Sequence, residues 1–307
     1  MKIDQYVKAA TRDNTRRSYR SAVEHYEVTW GGFLPATANN IAEYLANYAE
    51  SLAFNTLKQR TAALAQWHID QGFPDPTKSP LVKKVLKGIR ELHPGQAKQA
   101  KPLQLESLSQ IVAYLEHEIE QSPSTLRNYR DKALILLGFW RGFRSDELCR
   151  LSAEFINVTP NEGLTLFLPR SKGDRQSNGR IYHAPALAQL CPVNAYQDWI
   201  EKAQIQQGPV FRRINRWGQL GNDALHPNSI IPLLRSLFQK ASIESPDHYS
   251  THSLRRGFAS WASANQWDLK SLMEYVGWRD PKSALKYIEI SQHQAQFHST
   301  QRPLITD

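Results

Sequence analysis

The residues of this sequence whose types suggest chemistry are a set of cations, an indole and a tyrosine. In chain order they are Arg144 in "RGFRSDEL", Lys172 in "LPRSKGD", His252 and Arg255 in "HSLRRGFAS", Trp278 in "YVGWRD", and Tyr287 in "ALKYIEI". His252 and Arg255 are three residues apart, so they share one face near the start of a helix predicted over residues 251–264. Because a helix N-terminus favours negative charge, this pair is suited to bind an oxyanion or a phosphate.

Each of these residues, taken alone, also has an ordinary structural interpretation. Arg144 is typical of a surface arginine beside acidic neighbours, and Lys172 is typical of a solvated lysine in a turn. Tyr287 fits an amphipathic helix that Asp280 caps and Pro281 starts, in which the ring would be half-buried packing. No single segment therefore decides between packing and catalysis.

Several common catalytic and cofactor motifs are missing from the sequence. It has no Walker A loop, no G-x-G-x-x-G fingerprint, no H-E-x-x-H and no G-x-S-x-G. We therefore expect a reaction that needs no cofactor, neither ATP nor a dinucleotide, and no local pattern of carboxylates suggests a metal site. The two cysteines, Cys149 and Cys191, support no disulfide framework and no four-cysteine metal site, and we expect both to be buried thiols in a reducing compartment.

The charge of the chain indicates a polyanionic partner. The formal net charge is +9 and the sequence pI is near 9.5. Residues 1–100 hold 14 Lys and Arg against 9 Asp and Glu, so basicity is densest in the first third. Nucleic acid is the usual partner of such a chain, and a solvated basic surface is the alternative. The polar N-terminus has no signal-peptide core, and the longest apolar run, 133–140, is too short to span a bilayer.

Apolar periodicity predicts a mainly α-helical protein of two domains. Residues 1–92 indicate a bundle of about four amphipathic helices, and in the last of them we expect Leu81 to face inward with Val85, Leu86 and Ile89. Residues 93–103, "HPGQAKQAKPL", are typical of an exposed linker, and residues 104–307 form the second domain. Within it, residues 163–185 predict a β-hairpin with Lys172 in its turn.

Local signals add further expectations for the site and for nucleic-acid contacts. Ser145 is the expected N-cap of the helix after Arg144, with Asp146 and Glu147 in its first turn. The first domain offers candidates for groove and backbone contacts near two helix starts: Arg16, Arg17, Arg20, Asn55, Lys58 and Gln59.

Taken together, the motifs resemble those of the tyrosine recombinase (phage integrase) family. The matching features are the order of the segments, Glu147 three residues after Arg144, Lys172 in a hairpin, and Tyr287 nine residues after Trp278. Most members have His at the position of Trp278, and Trp there is similar to Cre-like members. Arg256 stands where many relatives have His or Lys, and we do not count it as catalytic. An additional arm-binding domain, present in larger integrases, is not expected.

The resemblance implies the fold and the domain roles. Residues 1–92 would be a helical, SAM-like core-binding domain, and residues 104–307 an α-rich catalytic domain with a small β-sheet and a C-terminal docking tail. Together they would form a C-shaped clamp on duplex DNA. The implied partners are double-stranded DNA with paired inverted-repeat half-sites and three further copies of the chain in a tetramer, with no membrane.

The implied reaction is DNA strand exchange through a 3′-phosphotyrosyl intermediate, without metal or ATP. Tyr287 would attack the scissile phosphate and expel a 5′-hydroxyl. Fixed cations must then meet the charge on the nonbridging oxygens, which suits Arg144 and Arg255 as bidentate clamps. The bond energy would be kept in the covalent link to the tyrosine.

Proton transfers and the remaining residues complete this interpretation. A free tyrosine has a pKa near 10, so His252 would accept the phenol proton and Lys172 would protonate the leaving 5′-oxygen. The Trp278 N–H would donate to a phosphate oxygen, and Glu147 would orient its neighbours.

Two other functions remain open from the sequence. One is a type IB topoisomerase, which shares the chemistry but relaxes supercoils as a monomer. The other is a DNA-binding architectural protein that has lost catalysis. The expected location is the cytoplasm of a bacterium, at the nucleoid, with the gene on a chromosome, phage or plasmid.

Overall fold

The structure is a computed structural model of the 307-residue chain. It describes residues 5–6, 10–95, 100–159, 161–169, 179–278, 280–281 and 284–285. The chain separates into two compact units, residues 1–98 and 99–307, which are described in turn.

The first unit is helical. Its helices are α1 (Asp13–Glu24), α2 (Ala38–Asn47), α3 (Phe54–Asp70) and α4 (Pro80–Leu92). After α1 the chain continues as a short π-helical segment, His25–Thr29, which places Tyr26 fully inside the core. Thr37 and Asn40 form a capping box at α2, and Ser79 caps α4, whose first residue is a proline.

The prediction for the buried face of α4 was wrong at one residue. Leu81 is 41% exposed, whereas Val82 is fully buried with Ile89 one heptad later. The face of the helix that packs on the core therefore consists of Val82, Val85, Leu86 and Ile89. Leu81 lies outside that face.

The second unit is mainly helical around one large apolar core. Its helices are α5 (Leu105–Gln121), α6 (Leu126–Trp140), α7 (Ser145–Cys149), α8 (Pro192–Lys202), α9 (Pro227–Lys240), α10 (Thr251–Ala264) and α11 (Leu269–Val276). Helix α6 is the centre of this core, and the apolar run 133–140 is buried along its whole length. The mainly helical fold class is thus confirmed.

The described part of the second unit also contains two small antiparallel sheets. The first has the order β1 (Ile156–Thr159), β2 (Gly163–Leu168), β3 (Arg180–Pro185), and Leu166 pairs with Tyr182 in its middle. The β2–β3 hairpin was expected, whereas β1 was not. The second sheet, β4 (Arg212–Ile214) with β5 (Leu220–Ala224), lies in a part of the chain where no strand was expected.

The segment before α5 is held within the second unit. Leu103 was expected in an exposed linker, but it is fully buried, and its N–H donates to the Ser253 carbonyl over 3.0 Å. The Lys101 N–H likewise donates to the His248 carbonyl over 2.9 Å. Gly257 permits this approach, because a Cβ at that position would lie 2.0 Å from the Leu103 carbonyl oxygen.

Among the described residues, no helix is long and apolar enough to cross a membrane. The same residues contain no group of three or more His, Cys, Asp or Glu side chains placed to hold a metal ion. Both cysteines are buried free thiols, as expected. Burial raises the pKa of Cys149 to about 12, so its thiol stays protonated at neutral pH.

Candidate active site

Arg144 stands at the entrance of α7, where it is paired with a buried carboxylate. Helix α7 begins at Ser145, so Arg144 rather than Ser145 occupies the N-cap position, and the prediction of a serine cap was wrong. The cap is supplied by Glu147, whose Oε2 accepts the Arg144 N–H over 2.8 Å while its Oε1 binds the Arg144 guanidinium over 2.8 Å. The Arg144 side chain is 27% exposed and that of Glu147 only 3%. Arg144 is therefore bound by a buried carboxylate and still has a face open to solvent.

Arg255 lies one turn into α10 and is almost fully buried. Ser250 caps this helix, which runs over residues 251–264 as the sequence predicted. The Arg255 guanidinium donates to the carbonyls of Gly142 over 2.6 Å and Val276 over 3.1 Å. Its Nη1 also lies 3.8 Å from Oε2 of Glu147, so one carboxylate serves both arginines.

Trp278 packs directly against this arginine. Gly277 follows the last residue of helix α11 and adopts a left-handed conformation (φ 78°). The backbone N–H of Trp278 donates to the Met273 carbonyl over 2.9 Å. This turn brings the indole under Arg255, whose guanidinium carbon is 5.0 Å from the ring centroid. Trp278 is buried, and it therefore contributes to the wall of the site as well as offering an indole N–H.

His252 is exposed on the first turn of α10. The residues beside it and beside Arg144 hold the two helix starts together, because the Ser145 hydroxyl donates to the Thr251 hydroxyl over 2.9 Å. The N-termini of α7 and α10 therefore lie side by side, and the N-terminus of a helix carries a partial positive charge.

Lys172 and Tyr287, the expected acid and nucleophile, lie outside the described residues. The strands on either side of the Lys172 segment, β2 and β3, are described and paired. Ala284, three residues before Tyr287, is fully buried, whereas Leu285 is 38% exposed.

Sequence reasoning missed Arg141, which is buried close to the site. It follows the apolar run of α6, and its guanidinium carbon lies 3.7 Å from the centroid of the Tyr275 ring. Burial lowers the pKa of Arg141. The available signal was an arginine directly after the apolar run 133–140, a pattern equally typical of a solvated helix end.

The candidate nucleic-acid contacts of the first unit lie on two helices that touch each other. Gln59 of α3 donates to the Ser18 hydroxyl of α1 over 2.8 Å. Arg16 pairs with Asp13, and Arg17 donates to Asn14, both within the first turns of α1. The remaining candidates, Arg20, Asn55 and Lys58, are exposed.

Comparison with known proteins identifies the family. Residues 101–294, more than half of the chain, match the phage integrase family. The chain belongs to the phage integrase family. An integrase/recombinase XerD homolog from Selenomonas ruminantium is 30% identical to this family member over 301 residues, which cover 94% of this chain and 85% of the relative. Recombinase Cre of Escherichia phage P1 is 23% identical over 277 residues, 83% of this chain and 77% of Cre.

Solved structures show the same fold. The XerH site-specific recombinase bound to palindromic difH substrate, a post-cleavage complex, superposes with a TM-score of 0.66 at 19% identity, covering 93% of this chain and 79% of XerH. A lambda integrase dimer bound to a COC′ core site gives a TM-score of 0.54 at 16% identity, covering 93% of each chain. The fold of this phage integrase family member is therefore that of the tyrosine recombinases.

Membership in this family determines the activity. The protein is a tyrosine recombinase, an enzyme of site-specific DNA recombination, and DNA is its partner. The resemblance drawn from the order of the motifs is thereby confirmed.

Proposed function

We propose that this recombinase binds the scissile phosphate with Arg144, Arg255 and Trp278 and cuts the strand with Tyr287. The observation that carries the proposal is the buried carboxylate of Glu147 shared by the two arginines, with the Trp278 ring under one of them. Such an arrangement fixes two guanidinium groups before DNA binds, and fixed cations stabilise the charge that develops on phosphate oxygens at no reorganisation cost.

In the proposed cleavage step, the phenol oxygen of Tyr287 attacks phosphorus and the bond to the 5′-oxygen breaks. His252 accepts the phenol proton, and its exposed position near the start of α10 suits a group that must reach an entering substrate. Lys172 gives a proton to the departing 5′-oxygen. The reverse step, in which another 5′-hydroxyl attacks the phosphotyrosyl bond, joins the strands in a new combination.

Glu147 acts in this proposal through the arginines rather than on the phosphate. Its two oxygens face Arg144 and Arg255, and a carboxylate repels an anionic phosphate, so Glu147 would not contact the DNA itself. We therefore assign it a positioning role.

We also propose a separate role for each of the two domains. Residues 1–92 bind DNA as the core-binding domain and residues 104–307 carry the catalytic residues, with the end of the chain docking on a neighbouring subunit. The protein would assemble as a tetramer on paired inverted-repeat half-sites and act in the cytoplasm at the nucleoid. The net charge of +9 supports the DNA-binding part of this proposal.

A suicide DNA substrate with a nick beside the scissile phosphate tests the central step. The wild type is expected to accumulate a covalent protein–DNA adduct, and Tyr287→Phe is expected to bind the same DNA and form none. Tyr129→Phe, which removes another phenol oxygen in the second unit, is the matched control and is expected to form normal adduct.

The suicide substrate, together with a supercoiled plasmid, distinguishes the two alternative functions. An architectural protein without catalysis forms no adduct even as the wild type. A topoisomerase-like enzyme forms the adduct and relaxes supercoiled plasmid as a monomer, but does not exchange strands between two DNA molecules. Adduct formation by Tyr287→Phe would remove Tyr287 from the mechanism.

A further inference from the structure

Three arginines from three different elements converge on the last carbonyl groups of helix α11. Arg180, the first residue of β3, donates to the Glu274 carbonyl, and Arg141 donates to the Tyr275 carbonyl. Arg255 of α10 donates to the Val276 carbonyl over 3.1 Å. The last carbonyls of a helix have no partner within the helix, and they form its negative end, so three guanidinium groups satisfy consecutive orphan acceptors there.

Arg141 is an unusual member of this set, because it is as buried as Arg255 but is not paired with Glu147. Among the described residues it has no ion-pair partner, and its second Nη donates to the His183 carbonyl of β3 over 3.0 Å. The rings of Tyr275 and Tyr182 lie 3.7 and 5.1 Å from its guanidinium carbon. Burying a charge without a carboxylate is costly, and here the helix end and the aromatic faces offset that cost. A buried arginine that links the end of one helix to a neighbouring strand therefore indicates that the position of this end matters.

Arg180 acts on the same turn as Arg141. Its guanidinium carbon lies 5.4 Å from the Tyr182 ring, and its Nη1 would be 2.9 Å from a Cβ at Gly277. The guanidinium group therefore fills the space that a side chain at residue 277 would take. Gly277 directly precedes Trp278, so Arg180 and Arg141 hold the chain immediately before the indole while Arg255 covers its ring.

We propose that Arg141 and Arg180 are positioning residues for cleavage. They fix the end of α11, so that Trp278 and Arg255 are correctly placed to contact the scissile phosphate. The proposal rests on the phosphate-binding role of Trp278 and Arg255 put forward above. Neither Arg141 nor Arg180 contacts the phosphate in this scheme. A misplacement of about 1 Å at a reacting group can cost roughly 10²-fold in rate, so loosening this helix end is expected to slow cleavage.

Arg180 provides the cleaner test, since it is only partly buried and its loss leaves the core of the unit intact. Arg180→Gln removes the charge and most donors, and Arg180→Lys keeps the charge and one ammonium donor. In single-turnover cleavage of the nicked suicide substrate at saturating protein, we expect Arg180→Gln to be about 10–100-fold slower, with Arg180→Lys in between. The dissociation constant for uncleaved DNA is expected to change less than threefold. Arg213→Gln, which removes an exposed charge from β4, is the control and should cleave at the wild-type rate.

The outcomes separate this inference from the proposed function. Wild-type cleavage in Arg180→Gln, or a loss of DNA affinity that accounts for the whole rate defect, overturns the positioning role while leaving the phosphotyrosyl mechanism intact. Absence of adduct in the wild type overturns the proposed function, and this inference with it. Arg141→Lys gives a second measurement: a slower cleavage rate at a temperature well below its unfolding transition supports the proposal, and a wild-type rate in this folded variant contradicts it.

Discussion

Glu147 and Arg255 face each other from two helices, α7 and α10, with 3.8 Å between Oε2 and Nη1, and both side chains are 3% exposed. The other oxygen of Glu147 binds Arg144 over 2.8 Å. One buried carboxylate thus links the two arginines that we assign to the phosphate. A buried acid that loses its charge leaves two cations facing each other, so this carboxylate serves both stability and the geometry of the site.

Replacing Glu147 should therefore destabilise the protein as well as slow cleavage. Glu147→Ala leaves the buried Arg255 without its carboxylate, and we expect a loss of about 3–5 kcal/mol in the free energy of unfolding. Asp146→Asn, which breaks the neighbouring and largely exposed pair with Arg150, should cost less than about 1 kcal/mol. Denaturant unfolding of both variants measures the difference, and equal losses would contradict the importance of the buried pair.

Lys172→Ala tests the general acid. The variant is expected to cleave ordinary DNA very slowly, because the 5′-oxygen leaves as a strong base without a proton. A substrate with sulfur in place of that bridging oxygen has a leaving group that needs no proton, so its cleavage by Lys172→Ala should recover much of the wild-type rate. Tyr287→Phe is the control, since it should remain inactive on both substrates. A Lys172→Ala variant that is equally slow on both would exclude the lysine as the acid.

Three substitutions at Trp278 separate its N–H from its packing. Trp278→His keeps a donor and should retain partial activity, whereas Trp278→Ala loses donor and packing and should fall by ~10²–10³ in rate. Trp278→Phe keeps a ring under Arg255 and loses the N–H. Single-turnover cleavage of the suicide substrate ranks the three. Wild-type activity in the Phe variant together with an inactive His variant would make Trp278 a packing residue.

The exposed cations of the first unit should set the salt dependence of DNA binding. Removing one phosphate-binding charge, as in Arg20→Gln or Lys58→Gln, should reduce the slope of log affinity against log salt by about one. Lys202→Gln, at the end of α8 in the second unit, is the control for a lost charge elsewhere. Affinities measured over a series of salt concentrations give the slopes. Unchanged slopes for both first-unit variants would place the DNA contacts on other residues.

Two glycines on helices allow a matched test of packing. Gly257→Ala would bring a Cβ to 2.0 Å from the Leu103 carbonyl oxygen, so it requires a backbone shift and should destabilise the protein by about 1–3 kcal/mol. Gly88→Ala on α4 meets nothing within 4 Å and should stabilise by about 0.5–1 kcal/mol, because alanine is the better helix former. Thermal unfolding distinguishes the two, and similar shifts in both would show that the Leu103 contact is easily rearranged.

The sequence predicted those parts of the structure that depend on local signals. Helix α10 was predicted over its full length because Leu254, Phe258, Trp261 and Ala262 are spaced to share one face. The hairpin of β2 and β3 was likewise predictable from two alternating strands around a polar turn. The strands β4 and β5 were not, because "RRI" and "LGNDA" are short and carry no alternation of apolar residues.

The residues of the candidate site were likewise predictable only in part. The order of the motifs predicted Arg144, Arg255 and Trp278, and the structure brings Trp278 under Arg255 and links Arg144 to Arg255 through Glu147. The role of Arg141 depends on the carbonyl of Tyr275, which is 134 residues away along the chain. No local pattern reports such a contact, since it arises only when the end of α6 and the end of α11 meet in the folded unit.

The attachment of Leu103 to α10 also has a mechanical consequence. The backbone bonds from Lys101 and Leu103 end on His248 and Ser253, and Gly257 lets the same segment lie flat against the helix. A force applied through the chain before residue 100 would therefore act on the start of the helix that carries His252 and Arg255.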